Sequence, residues 1–406
     1  MQSQFFDKKK LQSIQTDKLK HILYQAVHHV PYYHHLKSKI DFNKFSQNEL
    51  NKFPVVDKEL IRNNLDMFIS DKINKKYSQW SHTSGSSGKP FHFILPFYSD
   101  SFENIMSARA WSMGLNYQYK PNDPIISLRS YAPKQGEPLL RRRKNIWYLS
   151  AFDINENNLE FYQKTIQESG AKIIRGYASS IYIFSLLLKE KQVHLDTIKT
   201  VVTSSESFLP KYREAIEEHW GFKVLDWYGQ NERSVTVQQC SFGNYHNNDE
   251  YGIVELDENS QILATSLNND VMPLIRYATS DIAIKLEHNI GACECKRGLS
   301  IPFKGIDGRS DDILLKDDST KIPTANIYTA MQVFEKIKQF KITQNTDKSL
   351  RIELVEHSPI IQSELDEIRV ALSYRVGDLP MTFQIVPEII RSQKTGKIKA
   401  IESFIK

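Results

Sequence analysis

The chain has few cysteines, no long hydrophobic run and no strong excess of charge of either sign. Three cysteines among 406 residues are too few for a disulfide framework and are typical of a reducing compartment. The longest nearly apolar stretch, Ile181 to Leu188, falls far short of the ~20 residues that a membrane-spanning helix needs. A net charge of +5 is too small to indicate nucleic-acid binding, although it would not repel an anionic ligand such as a nucleotide.

The N-terminal residues show no targeting signal. Met1 to Leu11 is polar, and no apolar run follows Lys8-Lys9-Lys10, so a secretory signal peptide is not expected. Together with the low cysteine content, this predicts a cytoplasmic protein without a membrane span. A hydrophobic content of 40% and a charged content of 25% are typical of a folded globular chain.

The hydrophobic pattern changes along the chain. Residues 1–70 carry helical periodicity, as in the run from Leu19 to Val30 that Pro31 ends, and we expect them to form an accessory helical segment. Further on, short buried strands such as Ile125 to Leu128 alternate with amphipathic helices such as Leu159 to Ser169. This alternation predicts an α/β architecture with mostly parallel sheets and helices.

A smaller domain is predicted after Gly308. Two strand patterns, one amphipathic helical pattern and a further strand pattern follow one another in the order Phe340 to Thr343, Leu350 to Val355, Ile361 to Val376 and Met381 to Val386. We therefore expect a large N-terminal domain of residues 1–308 and a small mobile α+β domain of residues 309–406.

The most informative segment is a loop rich in glycine and hydroxyl side chains, Thr83-Ser84-Gly85-Ser86-Ser87-Gly88-Lys89-Pro90. Its glycines allow the backbone to approach a ligand closely, and its hydroxyls can donate to phosphate oxygens. Successive backbone N–H groups beside a lysine favour an anion. The spacing fits neither a Walker A loop nor a nucleophile elbow. From this segment alone, a phosphate-binding loop and an ordinary flexible surface loop remain open.

Further motifs follow this loop in a defined order. They are Ser204-Ser205-Glu206, Tyr228-Gly229-Gln230-Asn231-Glu232, Arg276-Tyr277-Ala278-Thr279-Ser280-Asp281, Gly308-Arg309-Ser310-Asp311-Asp312 and Thr395-Gly396-Lys397-Ile398. The set and its order resemble the acyl-adenylate-forming superfamily over residues 83–398. Three more segments are similar to the phenylacetate–CoA ligase branch, which includes CapK-type proteins: Val30-Pro31-Tyr32-Tyr33, Arg175-Gly176-Tyr177-Ala178-Ser179 and Met272-Pro273-Leu274-Ile275-Arg276-Tyr277.

The resemblance implies a nucleotide site for ATP. The loop from Thr83 to Lys89 would hold the β- and γ-phosphates, and Ser205 with Glu206 would lie on the adenine side. Tyr228 would stack on the adenine, within a motif whose Gly229 and Asn231 belong to the same site. Asp281 would accept hydrogen bonds from the ribose hydroxyls, with Arg309 on the same side.

The resemblance also implies the catalytic residues. Glu232 would hold Mg²⁺, a hard ion that favours carboxylate and phosphate oxygens. Lys397 would reach the α-phosphate oxygen during adenylation and leave when the small domain turns about a hinge at Asp311 or Asp312. Three positions depart from the family pattern. Asn231 stands where Thr is usual, although an amide can still donate to phosphate. Ser280 stands where Gly is usual, which matters if that position needs a positive φ, and Ala178 stands where Pro is frequent.

The implied reaction is ATP-dependent activation of a small carboxylic acid as its acyl-adenylate, with release of pyrophosphate and transfer of the acyl group to an acceptor. CoA is the default acceptor. Three alternatives remain: transfer to a sugar amine or a carrier protein in surface-polysaccharide biosynthesis, a nucleotidyltransferase acting on a small-molecule coenzyme, and a nucleotide-binding scaffold. By analogy with the family, the acyl pocket is expected to include Tyr131, Phe152, Tyr177 and Trp227. A homodimer is left open.

The three cysteines and one histidine form a candidate zinc site. Cys240 and His246 are separated by five residues, and Cys293-Glu294-Cys295 follows further along the chain. Three thiolates and one imidazole are the ligand set of a closed, structural zinc site. The alternative is three buried cysteines that act as small hydrophobes. Because Lys296 and Arg297 give Cys293 and Cys295 a polar context, we favour zinc.

Overall fold

The computed structural model of the chain describes residues 1–83, 91–129, 131, 133, 137–288, 290–309, 314–316, 321–322, 327, 330–331, 333–392 and 397–405. The chain forms two compact units. The first comprises residues 1–123, 199–205 and 223–306, and the second comprises residues 124–198, 206–222 and 307–406. The predicted domain boundary near residue 309 remains a prediction.

The described residues contain both helices and strands. The helices are α1 (Lys8–His29), α2 (Lys58–Asn63), α3 (Tyr98–Trp111), α4 (Glu156–Ser169), α5 (Ala178–Glu190), α6 (Pro210–Trp220) and α7 (Gln362–Val376). The first ten strands are β1 (Ser78–His82), β2 (His92–Pro96), β3 (Ile125–Arg129), β4 (Leu140–Arg143), β5 (Ile146–Ser150), β6 (Ile173–Gly176), β7 (Thr200–Ser204), β8 (Leu225–Gly229), β9 (Thr236–Gln239) and β10 (Tyr245–Asn247).

The remaining strands and the short 3₁₀ helices complete the list. The strands are β11 (Gly252–Leu256), β12 (Gln261–Ser266), β13 (Tyr277–Ile284), β14 (Gly305–Arg309), β15 (Leu314–Leu315), β16 (Lys321–Ile322), β17 (Ile337–Gln344), β18 (Leu350–Glu356), β19 (Met381–Ile385) and β20 (Ile401–Ser403). The 3₁₀ helices are Gln2–Phe5, Pro31–Leu36, Gln47–Lys52, Leu65–Phe68 and Lys75–Tyr77. The α/β fold class expected from the sequence is confirmed.

Helix α1 shows why the accessory segment folds as its pattern predicts. The side chain of Asp7 accepts a hydrogen bond from the backbone N–H of Lys10 and caps the first turn. The apolar positions of the pattern, such as Leu19 and Leu23, are buried in a core shared with β2 and with residues around Tyr277. The helix ends before Pro31, which cannot continue it.

The first unit contains parallel and antiparallel strand pairs. Strands β7 and β8 are parallel, whereas β9 pairs antiparallel with β8 and with β10. A second sheet runs in the order β11-β12-β13-β14, and its β11–β12 and β12–β13 pairs are antiparallel. The carboxyl end of β8 carries the Tyr228 motif, and β13 carries the Asp281 motif.

The second unit contains two sheets of different type. Strand β3 pairs in parallel with β5 and β6, and β4 adds antiparallel to β5. The C-terminal sheet runs in the order β19-β18-β17-β20. Helix α7 shares its hydrophobic core through buried side chains that include Ile368, Leu372 and Val376. Ile361, the first residue of the predicted amphipathic pattern, lies just before the helix begins at Gln362 and is 59% exposed.

No helix among the described residues combines the length and the hydrophobicity that crossing a membrane requires.

Candidate active site and metal centre

Two side chains predicted for the nucleotide site are in contact in the first unit. Tyr228 on β8 donates its hydroxyl to Oδ2 of Asp281 on β13 at 2.8 Å, and Gln230 Nε2 donates to the same hydroxyl at 2.6 Å. The ring of Tyr228 is only 8% exposed and packs in a cluster with Val237 and Phe303. Burial, and next the charge of Asp281, raise the pKa of Tyr228 well above its usual value, so its hydroxyl remains a donor to the carboxylate.

A bulge in β13 sets the direction of Asp281. The pairing register between β12 and β13 shifts between Gln261 and Leu263, and β13 has extra residues at this point. Ser280 lies there with a φ of 68°, a left-handed conformation that costs a non-glycine residue about 1–2 kcal/mol. Bulges redirect side chains at functional sites. The position at which the family motif has glycine therefore requires a positive φ, and in this chain Ser280 adopts that conformation.

Glu232 is a buried carboxylate held by two partners that the sequence did not indicate. It is 3% exposed. The hydroxyl of Tyr277 donates to its Oε1 at 2.8 Å, and Lys58 Nζ lies 3.4 Å from the same oxygen. A buried charge is tolerated when it is paired and hydrogen-bonded. A fixed carboxylate of this kind is the donor that Mg²⁺ prefers, so Glu232 fits the ion that the resemblance implies.

Left-handed backbone conformations recur at the predicted motifs. Besides Ser280, Ser205 has a φ of 69°, Arg233 a φ of 54° and Arg276 a φ of 47°. Arg276 is held by its own contacts, because its backbone N–H donates to Thr265 Oγ1 at 2.9 Å. Such conformations persist where the surroundings enforce them, and they are frequent at functional sites. Asn231, which belongs to the motif from Tyr228 to Glu232, is exposed.

Thr83 is the predicted phosphate-loop residue that falls in the described part of the chain. Ser84, Gly85, Ser86, Ser87, Gly88 and Lys89 lie outside the described residues. The backbone N–H of Thr83 donates to the carbonyl of Phe91 at 2.9 Å, and the N–H of Phe91 donates to Thr83 Oγ1 at 3.4 Å. Because β1 and β2 pair up to His82 and His92, the loop joins the two strands of a hairpin, and its start and end are fixed.

In the second unit, Glu206 contacts the segment that carries Lys397. Its Oε1 accepts a hydrogen bond from the backbone N–H of Ile398 at 2.9 Å, and its Oε2 accepts one from the N–H of Ser179 at 2.9 Å. Burial raises the pKa of Glu206. Lys397 Nζ lies 5.8 Å from the ring centroid of Tyr177. Thus three residues predicted for different roles, Glu206, Lys397 and Tyr177, lie in one region.

The remaining predicted positions are distributed over both units. Arg309 is half-buried at the end of β14, and Gly229 is exposed at the end of β8. The predicted hinge residues, Asp311 and Asp312, lie outside the described residues.

The predicted acyl-pocket residues also divide between the units. Tyr131, Phe152 and Tyr177 belong to the second unit and Trp227 belongs to the first, so a common pocket remains a prediction. Tyr177 is 4% exposed, with the Arg129 guanidinium 5.5 Å from its ring centroid. Within the described residues, the buried indole N–H of Trp227 has no hydrogen-bond partner, and it is therefore a donor suited to a polar ligand atom.

The structure brings the four predicted zinc ligands together. One ligand atom from each of Cys240, His246, Cys293 and Cys295 lies within 4.8 Å of the others. The two sulfur atoms of Cys240 and Cys293 are 3.7 Å apart, and Cys295 Sγ is 3.3 Å from His246 Nε2. The thiols are free rather than joined as disulfides. This is the donor set and the compactness of a tetrahedral Cys₃His zinc site.

The surroundings of the cluster orient its ligands. His246 Nδ1 lies 3.4 Å from the carbonyl oxygen of Leu299, which leaves Nε2 facing Cys295, as in metal sites where a carbonyl fixes the imidazole. Asn244 Nδ2 donates to Cys293 Sγ at 3.3 Å. The hydrogen bond with Cys240, and next that with His246, lower the pKa of Cys295 well below its usual range. A thiolate is the form that binds metal.

A buried ion pair supports the strands around this cluster. Arg109 is fully buried and its Nη2 lies 2.6 Å from Glu250 Oε1. Its Nη1 donates to Asn248 Oδ1. Burial alone would raise the pKa of Glu250, but the hydrogen bond and charge of Arg109 outweigh it and lower that pKa to about 2. The adjacent Asp249 accepts a hydrogen bond from the N–H of Ser300 at 2.9 Å and so ties the cysteine segment to β10.

Sequence reasoning missed the partners of the motif residues. Lys58 and Tyr277 hold Glu232, and Arg391 adjoins Glu206, yet none of the three was assigned a role. Tyr277 stands inside a recognised motif, so its position was visible although its contact was not. Lys58 follows Asp57 at the start of α2 and carries no local signal for a carboxylate far along the chain.

No family model matches the chain. Protein CapK of Staphylococcus aureus is 21% identical to it over 359 residues, which cover 84% of this chain and 77% of CapK. Phenylacetate-coenzyme A ligase of Escherichia coli (strain K12) is 24% identical over 359 residues, which cover 82% of this chain and 77% of that enzyme.

Solved structures share the fold. A 2-hydroxyisobutyryl-CoA ligase in the postadenylation state, in complex with R3-HIB-AMP, superposes with a TM-score of 0.74 at 14% identity and covers 100% of this chain and 91% of its own. An anthranilate CoA ligase in complex with anthranoyl-AMP has a TM-score of 0.54 at 14% identity, over 79% of this chain and 65% of its own. The chain is thus similar in sequence to CapK and to a phenylacetate-coenzyme A ligase, and it shares the fold of solved adenylate-forming CoA ligases.

Proposed function

We propose that this adenylate-forming ligase activates a small carboxylic acid with ATP and transfers the acyl group to CoA. The observation that carries the proposal is the pair of held carboxylates in the first unit, Glu232 with Tyr277 and Lys58, and Asp281 with Tyr228. The family resemblance implies one carboxylate for the metal and another for the ribose, and Glu232 and Asp281 stand at those motif positions. The names of the relatives, a phenylacetate-coenzyme A ligase and a 2-hydroxyisobutyryl-CoA ligase, support CoA as the acceptor.

The chemical step requires charge to be neutralised on the phosphate oxygens while a carboxylate oxygen attacks the α-phosphorus. Donors and cations aimed at those oxygens lower the barrier. Bound Mg²⁺ would supply part of that charge, held by Glu232. Lys397 would donate to the α-phosphate oxygen, and the Thr83 hairpin would bring the β- and γ-phosphates to their place. Pyrophosphate then leaves, and the acyl-adenylate carries the activated carbonyl.

The acid is expected to meet an aromatic surface. In the second unit, Tyr177 is nearly buried beside Arg129, and an aromatic face of this kind favours an aryl or other compact apolar acid.

We further propose that Cys240, His246, Cys293 and Cys295 bind one structural zinc ion. Its expected role is to hold the cysteine segment against β10, because four protein ligands leave no open position for chemistry. Metal analysis of the purified protein should find one zinc per chain. Cys295→Ser should lower that content and the melting temperature, with the ratio of acyl transfer to adenylation unchanged. Zinc well below one per chain in protein prepared without chelator would contradict the site.

The test of the ligase function is pyrophosphate release across a panel of aryl, aliphatic and amino acids, with and without CoA. We expect release that depends on one class of acid, and CoA-dependent formation of AMP and thioester. Acid-dependent release without a CoA effect would move the acceptor to an amine or a carrier protein. AMP retained covalently on an acceptor without any acid would indicate a nucleotidyltransferase. No release with any acid would contradict the proposal.

A further inference from the structure

Glu206 connects two parts of the second unit that are far apart in sequence. One oxygen of its carboxylate accepts from the N–H of Ser179, in the first turn of α5, and the other accepts from the N–H of Ile398. Both distances are 2.9 Å. Ile398 directly follows Lys397, so the carboxylate holds the backbone beside the lysine that the proposed function assigns to adenylation.

The contact with Ser179 anchors Glu206 to a rigid element. Tyr177 precedes the first residue of α5, and its side chain makes no capping hydrogen bond to the helix. The first N–H groups of a helix lack partners within it, and they attract negative charge. Glu206 supplies the acceptor for one of these N–H groups. One half of its carboxylate is thus fixed on α5, whatever the other half binds.

The described residues around Lys397 are 391–392 and 397–398, here called the Lys397 segment. Both ends of this segment lie beside Glu206 and α5. The N–H of Ser392 donates to the carbonyl of Lys397 at 3.0 Å, so residues 391 and 398 come close to each other. Arg391, at one end, donates through Nη1 to Ser180 Oγ at 3.1 Å, and its positive charge acts on Glu206. Ile398, at the other end, binds the carboxylate directly.

Apolar contacts hold the same segment on α5. Ile398 is 8% exposed and clusters with Val355 and Ile389, and Ile183 of α5 packs against this cluster. The apolar contact is non-directional, whereas the hydrogen bond to Glu206 fixes the position of the backbone at Ile398. The direction in which Lys397 extends therefore depends on Glu206 more than on the apolar contact.

We propose that Glu206 is a positioning residue that holds the Lys397 segment on α5 in the arrangement used for adenylation. The inference rests on the proposed function, in which Lys397 serves adenylation and is not required for acyl transfer. Glu206 should accordingly matter for the first half-reaction and be dispensable for the second. In this role Glu206 acts through the backbone of the segment, and the adenine-side contact implied by the family resemblance is the alternative that the KM for ATP distinguishes.

The first test compares the two half-reactions in Glu206→Ala. Acid-dependent pyrophosphate release should fall about 10-fold to 100-fold in kcat, since small displacements of a catalytic group have effects of this size. The KM for ATP should stay near that of the wild type. Thioester formation from supplied acyl-adenylate and CoA should keep its rate within about twofold. Glu214→Ala, which removes an exposed glutamate from α6 of the same unit, is the matched control and should leave both half-reactions unchanged.

The second test asks whether Glu206 acts through Lys397. In the double variant Glu206→Ala/Lys397→Ala, adenylation should be no slower than in Lys397→Ala alone, because residues that work as a unit are not additive. Glu206→Gln should be intermediate, since an amide retains one acceptor but loses the charge that Arg391 faces. Additive losses, or equal losses in both half-reactions, would overturn the proposal and leave Glu206 as a helix cap. A raised KM for ATP at an unchanged kcat would instead make it a nucleotide contact.

A third measurement does not depend on activity. Hydrogen exchange at the Ile398 amide should be about tenfold faster in Glu206→Ala than in the wild type, because its acceptor is lost, and unchanged in Glu214→Ala. Equal exchange in all three proteins would overturn the contact. If the wild type forms no acyl-adenylate while the Ile398 amide responds as expected, the proposed function fails and the contact stands, so the two failures are distinguishable.

Discussion

The carboxylates of the first unit and the Lys397 segment of the second are built in different ways. Glu232 and Asp281 lie on or beside strands and are held by side-chain hydrogen bonds at 2.8 Å. The described residues of the Lys397 segment are held by hydrogen bonds of Ile398 to Glu206 and of Arg391 to Ser180, and by a small apolar cluster. These residues have no regular secondary structure, and segments outside strands and helices open locally at a lower cost in free energy than paired strands do. The difference would suit the proposed function, in which the nucleotide site is formed in advance and the lysine serves one step.

The largest expected effect comes from removing the ion pair that supports the first unit. Arg109→Met should cost about 3–5 kcal/mol of the free energy of unfolding, because it leaves Glu250 buried without its partner. Urea unfolding would measure the loss. Arg141→Met, at an exposed position on β4, is the control and should change stability little. A loss of less than about 1 kcal/mol in the free energy of unfolding is typical of exposed ion pairs. Such a result in Arg109→Met would show that the buried pair does not stabilise the first unit.

The same pair gives a pH dependence with a defined sign. Arg109 lowers the pKa of Glu250 to about 2, so the ionised carboxylate contributes stability above the ordinary carboxyl pKa. That contribution should disappear as the pH falls towards 2. Unfolding measured between about pH 5 and pH 2 should show a smaller loss in Arg109→Met than in the wild type. Parallel curves would mean that the pair does not set this part of the acid response.

The next largest effect is on the chemical step. Lys397→Ala should slow adenylation about 10²–10³-fold, equivalent to about 2.7–4 kcal/mol, which is typical of one donor lost from a developing charge. Acyl transfer from supplied acyl-adenylate should continue. Lys399→Ala, two residues along the same segment and paired with Glu402 at 3.8 Å, controls for disturbance of the segment. If Lys397→Ala slowed both half-reactions equally, the segment would not be specific to one step.

A smaller effect is expected from loosening Glu232. Tyr277→Phe removes the hydroxyl that donates to Glu232 Oε1 and should cost about 1.5–3 kcal/mol of stability, the range for hydrogen bonds to charged groups. The Mg²⁺ concentration needed for half-maximal adenylation should rise, since the carboxylate is held less firmly. Tyr24→Phe, at a position 44% exposed, should leave both quantities unchanged. A normal Mg²⁺ requirement in Tyr277→Phe would argue against Glu232 as the ligand.

The smallest effect is expected at the bulge. Ser280→Gly should raise the free energy of unfolding by up to about 1 kcal/mol, because glycine adopts a φ of 68° without the strain of a Cβ. Adenylation should be retained, since Asp281 keeps its direction. Thermal unfolding would measure the change, and a lower melting temperature would show that the serine side chain contributes more than its backbone strain costs.

Local patterns predicted much of the fold. The apolar spacing of α1 and the buried strand of Ile125 to Leu128 depend on neighbours in sequence, and both form as expected. The order of the motifs predicted the site residues, and their roles remain predictions. The bulge at Ser280 could not be predicted, because it arises from the register of β13 against β12.

Contacts between residues that are far apart in sequence could not be predicted either. Lys58 reaches Glu232, and Glu206 reaches Ile398, only after packing brings their elements together. No spacing rule covers such pairs. The departure of Ser280 from the family pattern was visible in the sequence, but its backbone conformation had to be observed. The sequence therefore predicted candidate chemical groups, and the structure shows the contacts that hold Glu232 and Glu206.

The most direct measurement of the central claim is a single-turnover reaction with ATP labelled in its α-phosphate, an acid from the reactive class and no acceptor. The wild type should form an acyl-adenylate in proportion to the acid supplied. Lys397→Ala should form it at least 100-fold more slowly, and Lys399→Ala at the normal rate. Label that appears in no acyl-adenylate with any acid, or that appears equally fast in Lys397→Ala, would contradict the account.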